Sequence, residues 1–229
     1  MTNRIRRAIP SALALLSALT LSACGSVRYP EHYVLHVDPP AAAPSTSRPG
    51  ALGPIAVSAF GCPDYLCDGR IVYRPTPQQV AFYEFHRWAV NPGEAVTQLV
   101  EDRLRAASLF AGVARADSGV DAAYLLRGNL ERFEEVDQHQ NVLAVCTISA
   151  EVLDAKTRAL IWQATSSETV AVQQRTVAGV VTSLGAAVQV AIDRLMSSLE
   201  RELVNAQRAA TEGNSSRRRV VYGSGSGAS

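Results

Sequence analysis

The chain of 229 residues has no Gly-x-Ser-x-Gly elbow, no phosphate-cradling glycine loop, no His-Glu-x-x-His pair and no dinucleotide-binding glycine pattern. Each absence removes the chemistry that depends on it: nucleophilic acyl transfer, phosphoryl transfer, zinc-assisted hydrolysis and hydride transfer. Glu84 and His86 lie close in sequence, but no nucleophile or oxyanion donor accompanies them. No catalytic residue is therefore assigned and the chain is not read as an enzyme; a periplasmic hydrolase would have to rest on that pair alone. Metal ligands are equally scarce. His32 and His36 share one face of an extended segment with Asp38 nearby, and Cys62 and Cys67 have no second pair at zinc-site spacing, so no metal site is expected. Residues 24–210 carry 16 basic and 20 acidic side chains, a balance of −4, without a stripe that combines aromatic and basic residues. That excludes nucleic acid as a partner, because phosphate recognition needs clustered positive charge.

The early apolar stretch, residues 12–21, is shorter than the roughly 20 residues that cross a bilayer as a helix. It follows Arg4, Arg6 and Arg7 and ends in Leu21-Ser22-Ala23-Cys24, the layout of a cleavable signal with a cysteine at the cut. The pattern resembles a bacterial lipoprotein signal. Small residues before the cysteine suit a peptidase that reads extended backbone, and a thiol is the group that forms the thioether to diacylglycerol. Cleavage makes Cys24 the first mature residue, carrying a covalent diacylglycerol and a fatty acyl chain; no other cofactor is expected. Each buried methylene contributes roughly 0.8 kcal/mol and stable anchoring takes about two chains, so the domain is tethered rather than spanning. Gly25 follows the cysteine where an Asp would retain a lipoprotein in the inner membrane. The expected location is therefore the outer membrane, facing the periplasm.

What remains is enough for one domain, with an apolar fraction of 47% that permits a real core. The expected organisation is a signal peptide over 1–23, a tether over 24–32, a domain over 33–207, and a disordered Ser/Gly/Arg tail over 208–229. Strands are expected at 33–37, 55–60, 70–74 and 80–88, with a Pro/Ala-rich linker from 39 to 50. Asn91, Pro92 and Glu94 predict a helix start, with Asn91 as cap and the Glu94 carboxylate reaching back to the Asn91 amide. Three further strands follow at 124–131, 142–153 and 160–170, the last two joined by a polar hairpin loop. A one-sided amphipathic helix is expected from 176 to 206, with Gly179 and Gly185 weakening its first half unless close packing requires them. The fold class is α+β: a mostly antiparallel or mixed sheet of about six to seven strands covered by two helices.

Cysteine and aromatic residues supply the remaining candidates. Cys62 and Cys67 flank the turn-forming Pro63-Asp64-Tyr65-Leu66, and in an oxidising compartment they form either a local disulfide or a pair of thiols. Cys146 alternates with Ala144 and Ile148, which puts it on a buried strand face as a small apolar residue. In the segment Phe82-Tyr83-Glu84-Phe85-His86-Arg87-Trp88, strict alternation sends Tyr83, Phe85 and Arg87 one way and Phe82, Glu84, His86 and Trp88 the other. Tyr83, His86, Arg87 and Trp88 are read either as a structural motif under the next helix or as a partner surface, since Tyr, Trp and Arg dominate binding hot spots.

The order of these features is similar to a known family. The lipoprotein cysteine, the early Tyr33-Val34-Leu35 strand, Ile71-Val72-Tyr73-Arg74, the His86-Arg87-Trp88 segment, the helix after Pro92 and the Leu153-Asp154-Ala155 hairpin together resemble the ABC-type transport auxiliary lipoproteins, the PqiC-like family. The resemblance spans about residues 24–207, and the added Cys62 and Cys67 depart from its usual plain loop. It implies an accessory component linking an inner-membrane ABC transporter that carries an MCE protein to the outer membrane for lipid transport, assembled from identical subunits. An envelope adaptor that activates or docks a cell-wall enzyme would share the anchor and the domain.

Overall fold

Alternating apolar and polar residues build the two longest strands, and the sheet is organised around them. In the computed structural model the described residues are 28–38, 52–138 and 141–222, with no side-chain description at 207 and from 209 onward. Cys24, Gly25, the signal segment and the Gly/Ser-rich end lie outside the described residues. The chain divides into two units, Met1–Pro30 and Glu31–Ser229, and every element named below belongs to the second. In chain order these are β1 (Glu31–Tyr33), β2 (Ile55–Val57), α1 (Asp64–Cys67), β3 (Arg70–Thr76), β4 (Gln79–Trp88), α2 (Pro92–Ala107), β5 (Val113–Arg115), β6 (Tyr124–Gln138), β7 (Asn141–Asp154), β8 (Leu160–Ala171) and α3 (Val177–Tyr222).

The sheet is mixed and has eight strands. One edge of β6 is antiparallel to β7 along nearly its whole length. Its other edge is shared: the first residues pair parallel with β2, and Glu135 and Val136 pair parallel with β3. β4 returns antiparallel on β3, β1 lies parallel on β4, β5 lies parallel on β2, and β8 pairs with β7 alone. The fold class is thus the expected one, with two additions that local reading passed over. β5 has three residues, too few for a periodic pattern, and α1 occupies the segment read as a turn.

On the helix-covered side, Ala144, Cys146, Ile148, Ala150 and Val152 of β7 are all buried beneath Leu184, Val188, Ile192 and Leu195 of α3. Val96, Val100 and Leu104 of α2 close the same core. Each fully buried Leu, Ile or Val contributes about 1.5–3 kcal/mol relative to exposure. Burial also pushes the Cys146 thiol up to about 12, helped by the charge of Glu168, so it sits in the core as a protonated, unreactive group.

Local rules set the start of α2. The Asn91 carboxamide oxygen accepts from the Gly93 and Glu94 amides at 2.9 and 3.4 Å, with Pro92 in the first helical position. The expected reciprocal bond from Glu94 is replaced, because its carboxylate turns to Arg115 at 2.6 Å. A full positive charge outbids one backbone amide. Inside the helix, the Phe60 amide donates to the Thr97 hydroxyl, which donates to the Gly93 carbonyl, so a buried Thr is satisfied at both ends.

Several boundaries differ from expectation: the strand expected at 33–37 ends at Tyr33, and the one expected at 124–131 runs on to Gln138. β1 begins at Glu31, inside the expected tether, because parallel pairing with β4 recruits Glu31 and His32. The strand at 55–60 stops at Val57, although the Ser58 and Gly61 amides still donate to β6 carbonyls. α3 continues to Tyr222, through most of the segment expected to be disordered. Extending an existing helix needs no new nucleus, so polar residues add to a helix they could not start. Gly185 has its packing reason: a Cβ there would lie 2.9 Å from the His36 carbonyl oxygen.

Two substitutions test this account by urea denaturation. A Cβ at Gly128 would lie 2.3 Å from the Phe60 ring and 2.5 Å from the Ser149 carbonyl, so Gly128→Ala is expected to cost about 1–3 kcal/mol of stability. Asn91→Ala, which removes the cap of α2, is expected to cost about 1 kcal/mol. Midpoints unchanged from the parent protein would refute both.

Candidate functional site

The aromatic segment of β4 does not alternate regularly. Val72 pairs with Phe82, but Arg70 pairs with Arg87, so β4 carries extra residues between Phe82 and Arg87 opposite an uninterrupted β3. The irregularity reverses the facing of the chain part-way along. Tyr83 therefore shares a face with His86 and Trp88 rather than with Arg87, correcting the expectation from strict alternation. Its ring lies 4.9 Å from Tyr73 and 5.7 Å, edge-on, from His86.

On this face the first strand of the domain is latched to β4. The Tyr33 hydroxyl donates to a Glu31 carboxylate oxygen at 2.8 Å, and His86 Nδ1 lies 3.1 Å from the same hydroxyl and 3.5 Å from that carboxylate. With the phenolic proton committed to Glu31, the network assigns a proton to Nδ1, which donates to the phenol oxygen. Burial, then the bond to Glu31 and its charge, push the Tyr33 phenol up to about 12. Further in, the Tyr83 hydroxyl donates to Glu135 at 2.6 Å. Burial chiefly, then Glu135, push Tyr83 well above its usual value. Burial pushes the Glu135 carboxyl up too, against the Tyr83 hydrogen bond that pulls it down.

The other two predicted residues separate. Trp88 is 7% exposed, with its ring 5.3 Å from Phe133, so its role is core support rather than contact. Arg87 faces the opposite way, beside Asp68. Burial would raise that carboxyl, but hydrogen bonds and charge from Arg70, with Arg87 nearby, hold it below its usual value. The Arg70 guanidinium also stacks 3.9 Å above the Phe82 ring.

Local reading missed the acidic pair at the far end of β6. The register with β7 shifts between Leu130 and Arg132, which sends Phe133 into the core and Glu134 to the opposite face. Glu134 is fully buried, and it accepts from Arg74 through two bonds at 2.9 and 3.1 Å and from Arg132 at 2.8 Å. Two adjacent acids inside an otherwise alternating strand were the signal available in the sequence. Tyr65 of α1 reaches Arg74 of this cluster, and Cys62 and Cys67 form a disulfide, with Cα atoms 6.0 Å apart, that closes the loop around α1. The Asn91 side chain donates to the Cys67 carbonyl at 3.0 Å, so one residue caps α2 and holds the disulfide loop.

Part of the sheet face away from α3 is polar and open, around the middle of β6, β7 and β8. Ser58, Arg127, Asn129, Ser149, Glu151 and Gln163 line a shallow groove of about 870 Å³, crossed by an Arg127–Glu151 ion pair. Among the described residues no group of three or more His, Cys, Asp or Glu side chains is placed to hold a metal ion. The chemistry on view is that of a held scaffold: a latched first strand, buried ion pairs and an uncovered polar sheet face.

Residues 33–215 match the family model described as the ABC-type transport auxiliary lipoprotein component. The chain belongs to that family. The crystal structure of a Xanthomonas campestris protein described under the family model DUF330 superposes with a TM-score of 0.66 at 18% identity, covering 79% of this chain and 99% of that one. A second crystal structure, of an uncharacterized protein, gives 0.58 at 13% identity, with 75% and 99% covered. At these identities the likeness establishes the fold. No curated protein matches the chain at a significant level.

In this auxiliary lipoprotein the burial that raises the Glu135 carboxyl, against the pull of the Tyr83 hydrogen bond, is expected to make stability depend on pH. A carboxyl whose folded-state value is raised binds its proton more tightly folded than unfolded. Its contribution is complete below the ordinary glutamate value and is lost as pH rises through the folded value. Urea midpoints of the parent protein are expected to fall from pH 4 upward relative to Glu135→Gln, in which the slope is removed. Parallel profiles would show that Glu135 carries no such linkage.

Proposed function

We propose that this auxiliary lipoprotein is anchored by acylated Cys24 to the outer membrane, faces the periplasm, and links an inner-membrane ABC transporter with its MCE protein to that membrane for lipid transport. The observation that carries this reading is the closeness of the anchor to the first latched strand. Glu31 opens β1 seven residues after Cys24, a stretch that spans at most about 25 Å fully extended. A tether so short suits a part held close to its membrane. The Glu31–Tyr33–His86 latch then resists peeling of β1 from β4 when the tether is pulled.

The role is holding and joining rather than turnover. Gly25 favours release to the outer membrane, and the family resemblance supports an MCE partner and assembly from identical subunits. Tyr83 and His86 stiffen the strand next to the tether, while Arg87 lies half-buried on the opposite face. Glu84 and His86 carry no catalytic step in this reading.

Two measurements test it. Cys24→Ser is expected to abolish incorporation of labelled palmitate and to release the protein from the membrane fraction; persistence of both would sink the anchor. Cross-linking in intact cells is expected to capture an MCE protein from the parent chain. Recovery of a peptidoglycan synthase in its place would support the adaptor role instead.

A further inference from the structure

Among the described residues β8 is an open edge, and past the irregularity at Ile161 it has none of the usual protection. It pairs with β7 in unbroken register from Ala171 to Trp162, and no described strand lies on its other side. The Val172 amide donates to the Val142 carbonyl at 2.8 Å, so residues of even number along β8 direct their backbone groups toward β7. Gln163, Thr165, Ser167 and Thr169 therefore direct their N–H and C=O groups outward, and their side chains are exposed. Edge strands are ordinarily blunted by Lys, Pro, a bulge or shortness. β8 has twelve residues, no Pro and no Lys, and its one charged side chain, Glu168, is buried.

The flank of this edge says what it accepts. Glu168 is held by Arg194 of α3 at 2.5 Å, and the Arg194 side chain is 66% exposed. Arg194 lies in a shallow groove with Val190, Asp193, Ser197 and Arg201 along the helix, and Asp193 is paired with Arg103 of α2 at 3.3 Å, which leaves the two arginines of the groove in excess. A strand added to β8 would place alternate side chains along this flank, next to an exposed valine and two arginines. A guanidinium has five donors, so Arg194 can take a second carboxylate while keeping Glu168.

We propose that β8 is a strand-addition site that accepts an extended segment of a partner protein, with apolar and acidic side chains alternating with small polar ones. Backbone pairing supplies the affinity and the α3 flank the selectivity. A second copy fits less well, because its own α3 flank would bring arginines of the same charge. The inference rests on the sheet edge and stands independently of the lipid anchor and of the transporter reading.

Fluorescence anisotropy on the full chain in detergent tests it, using a labelled peptide that alternates threonine with valine and glutamate. Binding is expected to be at least tenfold tighter than for the lysine-for-glutamate twin, with Arg194→Gln narrowing that ratio. A twin N-methylated along one edge is expected to bind at least tenfold more weakly, a result that needs no protein variant. Thr165→Pro is expected to lose binding, while Ser167→Ala, which keeps its amide, binds like the parent. Absence of binding by the parent chain would overturn the proposal, as would equal binding of the N-methylated twin. So would a parent dimer in sedimentation that Thr165→Pro dissociates, since that outcome assigns the edge to a second copy.

Discussion

The shared edge of β6 is the constraint on which the rest of this molecule depends. A strand of fifteen residues is long enough for two partners on one side, so β2 takes its start and β3 its end while β7 runs the full length opposite. Two groups of strands from separate parts of the chain thus join through a single backbone. β1 and β4 reach the sheet only through β3, and β5 only through β2. Loss of register in β6 would detach both.

Burying charge at the far end of β6 is the cost of that arrangement. Once the irregularity near Arg132 turns Glu134 away from the core, its carboxylate is fully enclosed and must be paired. Arg74 from β3 and Arg132 from β6 itself supply the partners, so the ion cluster also ties the β3 junction together. Removing one partner of such a group leaves an uncompensated buried charge, so losing an arginine costs more than the intact cluster contributes. A comparable logic holds at Glu101, a buried residue of α2 paired with Arg105 and Arg115.

Much of the architecture was legible because it is periodic or local. The strands at Tyr124, Asn141 and Leu160 and the stripe of α3 follow from alternation and helical spacing, and the cap at Asn91 follows from three residues in a row. The candidate site was legible only in part. The segment from Tyr83 to Trp88 stood out by composition, but strict alternation placed Tyr83 on the wrong face because nothing in a period-two pattern reveals an inserted residue. Glu31, Glu134 and Glu135, and the bonding role of Tyr33, were not legible because each acquires meaning from a partner roughly fifty or more positions away, except where Glu31 and Tyr33 meet each other.

The amino-acid sequence by itself determined the long strands, the apolar stripe of α3, where α2 starts, and that Cys146 faces the core, because those outcomes depend on neighbours within one or two turns. Only the tertiary structure decided which strands share β6, which way Tyr83 points, what neutralises Glu134, and that no described strand covers the outer edge of β8. Pairing between distant strands is settled by burial and register across the whole sheet, and a shift of one residue exchanges its two faces.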